Sequence, residues 1–138
     1  MKIGNSEIKL YYNNQAATEV SELCGGLREF GRLISDENGK ALDVLEQLSN
    51  IAKLVRILAN NEIRRTNLLI KMGVLGGDCK EEFTDEQFAI LLDASKLDEY
   101  FTECLQVMGL ASQFIVPDEV KITDPDYDLE ELEAEKNP

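Results

Sequence analysis

Histidine is absent from the 138-residue chain, and so is tryptophan. Without histidine, the chain lacks the side chain that ordinarily titrates near neutral pH and is the commonest metal ligand. A cysteine–histidine dyad and a Cys/His zinc site are therefore excluded. Cysteine is scarce as well: Cys24, Cys79 and Cys104 are odd in number, far apart and form no C-x-x-C pair. That pattern supplies neither a disulfide framework nor a structural zinc site. Free, mostly buried thiols in a reducing compartment are expected. No apolar run approaches the ~18 residues needed to cross a bilayer. The opening Met-Lys-Ile-Gly-Asn-Ser-Glu has no signal-peptide core. The resulting expectation is a non-enzymatic, cytoplasmic protein without cofactor, metal or catalytic residues.

Basic charge is also in short supply. Fourteen Lys and Arg stand against 27 Asp and Glu, a formal net charge of −13. Such a field repels phosphate backbones and anionic lipid, which argues against nucleic-acid and membrane partners. The distribution is uneven. Residues 53–71 carry five basic side chains and one acidic (net +4), whereas 72–116 and 117–138 each carry two basic and nine acidic (net −7). Lys53, Arg56, Arg64, Arg65 and Lys71 thus form a cationic island in an acidic chain, either paired with the chain's own acids or open to an acidic partner.

What is present is enough for a core. With 43% hydrophobic residues, a chain of this length fits one domain that needs no metal or disulfide to fold. Alternation at Ile8, Leu10 and Tyr12 predicts a strand over 7–12. Gly4-Asn5-Ser6 is placed to turn it onto residues 1–3, and 114–116, 120–122 or a second copy are the other candidate partners. Asn13-Asn14 suits a helix N-cap, with Ala16, Ala17, Val20, Leu23 and Cys24 on one face and Gly25-Gly26 as the stop. A further short helix is expected around Leu27, Phe30, Leu33 and Ile34.

The longest periodic stretch covers 40–60. Ala41, Leu45, Leu48, Ala52, Val55 and Ala59 define a stripe that Val44, Ile51 and Leu58 widen, so this helix should lie centrally. Asn60-Asn61 is read as a break before a shorter helical piece over 62–72. After a glycine-rich loop at 73–78, Thr84 and Gln87 make a capping box, and Phe83 and Phe88 make its hydrophobic staple. Phe88, Leu91 and Leu92 are expected inside. A last helix starts near Ser95-Lys96, turns Leu97, Phe101, Cys104, Leu105 and Met108 inward, and stops at Gly109.

The fold class that follows is mainly α: a multi-helix domain over 1–122 with a minor N-terminal strand or hairpin. Residues 123–138 read as an acidic tail, disordered by composition.

No chemical motif stands out. The loop at 73–78 lacks the Gly-Lys-Ser/Thr ending of a phosphate loop. Asp124, Asp126, Asp128 and Glu135 match calcium-loop spacing, but Leu129 replaces the required glycine and Pro125 interrupts the loop. Glu81, Glu82, Asp85 and Glu86 suit a helix N-terminus as dipole-complementing acids.

Three stretches in order resemble the tail assembly chaperones of long-tailed phages, in the form common in Gram-positive prophages. They are Ile8-Lys9-Leu10-Tyr11-Tyr12-Asn13-Asn14-Gln15-Ala16-Ala17, Leu58-Ala59-Asn60-Asn61-Glu62-Ile63-Arg64-Arg65-Thr66-Asn67, and Phe83-Thr84-Asp85-Glu86-Gln87 leading to Leu97-Asp98-Glu99-Tyr100-Phe101. The resemblance spans about residues 7–109; the loop at 73–82 and the acidic tail lie outside it. It implies a chaperone in the cytoplasm of a bacterial host that coats the tape measure protein, recruits tail tube protein and is left out of the mature virion. Helix-in-groove contact would suit a long helical partner. The candidate partner-binding residues are Arg56, Ile63, Arg64, Arg65, Leu68 and Leu69. A homo-oligomer through the strand at 7–12 is a further expectation. The alternative reading is a DNA-associated helical regulatory protein, allowed by the Arg64-Arg65 pair and opposed by the net charge.

Overall fold

A computed structural model describes residues 1–26 and 29–109. Its elements are a hairpin of β1 (Lys2–Ile3) and β2 (Ser6–Glu7), then helices α1 (Asn14–Cys24), α2 (Val44–Lys71), α3 (Asp85–Leu91) and α4 (Leu97–Val107), with short 3-10 turns at Phe30–Leu33 and Ala94–Lys96. The fold is mainly helical with a small antiparallel hairpin, as the sequence predicts. The tail at 123–138, its calcium-like spacing, Leu27 and the candidate strands at 114–116 and 120–122 lie outside the described residues.

The hairpin turns at Gly4, whose φ of +62° is the left-handed conformation that glycine adopts without strain. Lys2 faces Glu7 and Ile3 faces Ser6 across it. The Met1 amine contacts Glu7 and, at 3.0 Å, Glu103 of α4, which ties the hairpin to that helix.

Backbone pairing ends one residue past β2, where the Ile8 amide donates to the Met1 carbonyl at 2.7 Å and the Met1 amine donates to the Ile8 carbonyl at 2.8 Å, so the strand expected over 7–12 is corrected to an arm that leaves the hairpin. Its alternation nevertheless survives. Ile8, Leu10 and Tyr12 pack on the core while Lys9 and Tyr11 face out. The arm lies on α2, where the Tyr11 amide donates to the Leu58 carbonyl at 3.1 Å. Within the chain, a neighbouring helix therefore packs against this apolar row.

Local signals explain most helix ends. The Asn13 side chain caps α1 by accepting from the Ala16 amide at 2.8 Å. At its other end, Gly25 takes a φ of +89° and the Gly26 amide donates to Ser21 O, satisfying carbonyls the helix leaves open. The Asp43 carboxylate caps α2, and the Thr84–Gln87 capping box starts α3 with both of its hydrogen bonds formed. The Phe83 and Phe88 rings pack beside it with centres 4.8 Å apart, tilted by 40°.

Two expectations about α2 are corrected. The helix begins at Val44 and runs unbroken for 28 residues, through Asn60 and Asn61, to Lys71. The asparagines do not break it because the Asn60 side chain is spent on a segment packed against the helix and the Asn61 side chain on the preceding turn of the helix itself. Asn60 bonds to residue 83, and the Asn61 amide donates back to Ile57 O at 2.8 Å. The buried centre also lies further along than the stripe suggests. Ile51, Leu54, Val55, Ile57, Leu58 and Ala59 are buried; Leu48 is half-buried, and Ala41 and Leu45 are exposed. Val44, Leu45 and Glu46, in the first turn of α2, are exposed, and the helix is engaged by its neighbours from the second turn on. On α3, Phe88 is buried and Leu92 half-buried, but Leu91 is exposed, which corrects its expected inward face. The core is completed by Ala16, Val20, Phe30, Leu33, Cys104, Leu105 and Tyr100, whose hydroxyl accepts from the Asp93 amide at 3.0 Å.

Candidate protein-binding surfaces

The cationic island sits on α2, and its arginines face acids of this chain. Arg64 is the most engaged. Its Nε and Nη2 each lie 2.9 Å from a Glu82 carboxylate oxygen, and its Nη1 lies 2.7 Å from Glu19 of α1. One guanidinium thus joins α1, α2 and the segment before α3, using the planar fork that matches a carboxylate. Those hydrogen bonds hold the Glu82 carboxyl below the usual carboxylate range and push Arg64 up. Arg56 pairs with Asp85 at the start of α3. The Arg65 guanidinium carbon lies 4.8 Å from the centre of the Tyr11 ring, within cation–π reach. Lys53 and Lys71 are exposed.

The six candidate partner residues therefore do not form one open patch. Arg56 and Arg64 are paired internally, Ile63 and Leu69 are half-buried, and Leu68 is 57% exposed. Of the acids read as complementing a helix dipole, Glu82 and Asp85 also make these cross-element pairs. The ion pairs follow from α3 and its leading segment docking on the α2 face that carries Arg56 and Arg64.

A second surface was not singled out by sequence reasoning. Between the N-terminal half of α2 and the α3–α4 pair runs a groove with a cavity volume of about 340 Å³. Leu48, Ile51 and Ala52 form one wall, and Phe88, Ala89 and Leu92 form the other, with Leu97 and Tyr100 also lining it. Lys53 stands among the lining residues with Asp85 and Asp93. Leu45, one turn before Leu48 and Ser49, is 74% exposed and extends the apolar wall of α2 beyond the groove. The signal available in the sequence was the surplus of apolar residues at 41–52, more than a helix packed on one side needs.

Cys24 and Cys104 are buried, which pushes their thiols up to about 11 and about 12 and away from thiolate reactivity. Cys79 is exposed. Asn61 leaves its buried Oδ1 without a partner among the described residues. No group of three or more potential metal ligands occurs among the described residues, and no helix there is long and apolar enough to cross a membrane. No family model, curated protein or solved structure matches the chain.

Proposed function

We propose that this chain is a non-enzymatic assembly chaperone of the phage tail type, which receives an amphipathic helix of a tape measure protein in the α2–α3–α4 groove. The observation that carries the reading is that groove: apolar walls on two helices, open at the surface, with charged side chains among its lining residues. Such a trough fits the apolar stripe of a helix better than an extended or nucleic-acid ligand. The three stretches that resemble tail assembly chaperones support the same reading, and the third of them contributes Asp85, Leu97 and Tyr100 to the groove lining. Recruitment of tail tube protein and action in the host cytoplasm come with that resemblance.

The test is calorimetric titration of the chain with helical segments of the tape measure protein. Ala89 is exposed on α3 and lines the groove, so Ala89→Arg should fill the trough without entering the core. Binding should weaken at least about tenfold, a change of roughly 1.4 kcal/mol, with an unaltered melting curve. Equal binding by the variant, or no binding of any segment by the unmodified chain, would defeat the proposal.

A further inference from the structure

The C-terminal half of α2 carries a row of polar residues, Asn60, Arg64 and Asn67, that holds residues 79–83 in a particular manner. Each asparagine bonds to both backbone groups of a single residue. Asn60 accepts from the Phe83 amide at 2.7 Å and donates to the Phe83 carbonyl at 2.9 Å. Asn67 accepts from the Lys80 amide at 2.9 Å and donates to the Lys80 carbonyl at 2.8 Å. Between them, Arg64 forks onto Glu82.

The spacing is commensurate. Seven helical residues rise about 10.5 Å at 1.5 Å each, and three extended residues cover about 10 Å. Two helical turns therefore match three extended residues running antiparallel, which lets asparagines seven apart meet backbone groups three apart.

This row reads an extended backbone, because four of its hydrogen bonds ignore the bound side chains. The Arg64 fork adds one preference, for a carboxylate one position before the residue that Asn60 holds. None of these contacts requires the bound chain to be covalently continuous with α2.

The bound segment, in turn, is lightly held elsewhere. Residues 71–82 are all exposed. Gly73 and Gly77 lie upstream in left-handed conformations, at φ +78° and +106°. Downstream, α3 is capped by its own Thr84 and Gln87, so its first turn does not depend on the segment. Beside the row, a cleft of about 230 Å³ is lined by Ile8, Ala59, Ile63, Thr66 and Phe83, among others, which leaves room for side chains of a bound peptide.

We propose that Arg64 and Asn67, beside the Asn60 anchor of Phe83, form an exchangeable peptide site, and that residues 79–82 are a strap occupying it in cis. The ligand class is an extended acidic segment of a partner polypeptide, with a carboxylate at the Arg64 fork. Because a tethered strap competes at a local concentration in the millimolar range, the closed chain binds weakly and only a well-matched or locally concentrated partner displaces it. The site is separate from the α2–α3–α4 groove and does not depend on the function proposed for it.

The probe is a fluorescein-labelled peptide of residues 77–84 carrying Cys79→Ser. The strap is opened in the full chain by Lys80→Pro, which removes an amide donor, together with Glu82→Gln. The opened chain should bind the probe at least about tenfold more tightly than the unmodified chain. Adding Asn67→Ala should weaken that binding roughly tenfold, through loss of two hydrogen bonds. No binding by a folded opened chain, or binding indifferent to Asn67→Ala, overturns the proposal. If the opened chain does not fold, hydrogen exchange on the unmodified protein decides the question. Lys80 amide exchange much faster than that of Leu58 and Ala59 supports a strap that opens locally; equal protection overturns it.

Discussion

Replacing Arg64 by Met keeps a long apolar stem while removing the guanidinium that joins Glu19 and Glu82. The three side chains are 32%, 29% and 43% exposed, so solvent screens the pairs and interior magnitudes do not apply. An exposed pair contributes about 0–1 kcal/mol, and a bidentate fork lies towards the upper end of that range. Two pairs sharing one fork then stabilise the fold by about 1–2 kcal/mol, and Arg64→Met should cost that amount in urea denaturation. Arg64→Glu should cost more, because it sets three carboxylates together. A double-mutant cycle with Glu82→Gln isolates the fork and should return a coupling of about 1 kcal/mol that shrinks in high salt. The pH dependence has a definite sign. The Glu82 carboxyl is held below its ordinary value by Arg64, so its contribution is present above the unfolded carboxylate range and is lost as pH falls through the folded value. Glu82→Gln should remove that part of the acid-side slope. A cost below about 0.3 kcal/mol for Arg64→Met, with no coupling to Glu82, would mean that the fork is incidental.

Leu105 is 2% exposed whereas Leu48 is only half-buried, so Leu105→Ala should cost about 2–5 kcal/mol and Leu48→Ala clearly less; chemical denaturation that reversed the order would show that the core is misplaced. At pH 8 a thiol reagent should titrate one cysteine quickly in the native protein, Cys79, and three after denaturation, since burial shields Cys24 and Cys104; rapid native labelling of either buried thiol would contradict this packing.

Wherever the governing interaction is short in sequence, the structure was legible in advance. The Asn13 cap, the glycine stop after Cys24, the Thr84–Gln87 box and the Phe83–Phe88 staple all act within a few residues, so residue type and spacing specify them. The alternation at Ile8, Leu10 and Tyr12 was also readable as burial on one side, but not as to what covers it. An apolar row shows only that it needs a cover; here the cover is α2, not another strand. The same limit applies within α2. Its apolar residues spread so widely around the helix that periodicity alone leaves the axial centre of burial undetermined. Contacts with α1, α3, α4 and the turn at Phe30–Leu33 fix that centre near Leu54–Leu58 and leave Leu45 outside. Tyr100 was missed although it lies four residues before Cys104, because its polar tip disguises a ring that belongs to the same inward face.

The sharpest failure of local reasoning, at Asn60-Asn61, also shows what the chain gains there. Asparagine is a poor helix former because its side chain competes for nearby backbone groups. In α2 that competition is redirected. Asn60 spends both side-chain groups on the backbone of Phe83, across 23 residues of sequence, and Asn67 does the same for Lys80 across 13. The residues that look like breakers are therefore what align the segment before α3 on α2. That alignment delivers Glu82 to Arg64 and Asp85 to Arg56, and it seats Phe83 against Phe88. The ion pairs of the cationic island and the seating of Phe83 against Phe88 thus belong to one docking arrangement, in which Asn60 holds the residue just before α3.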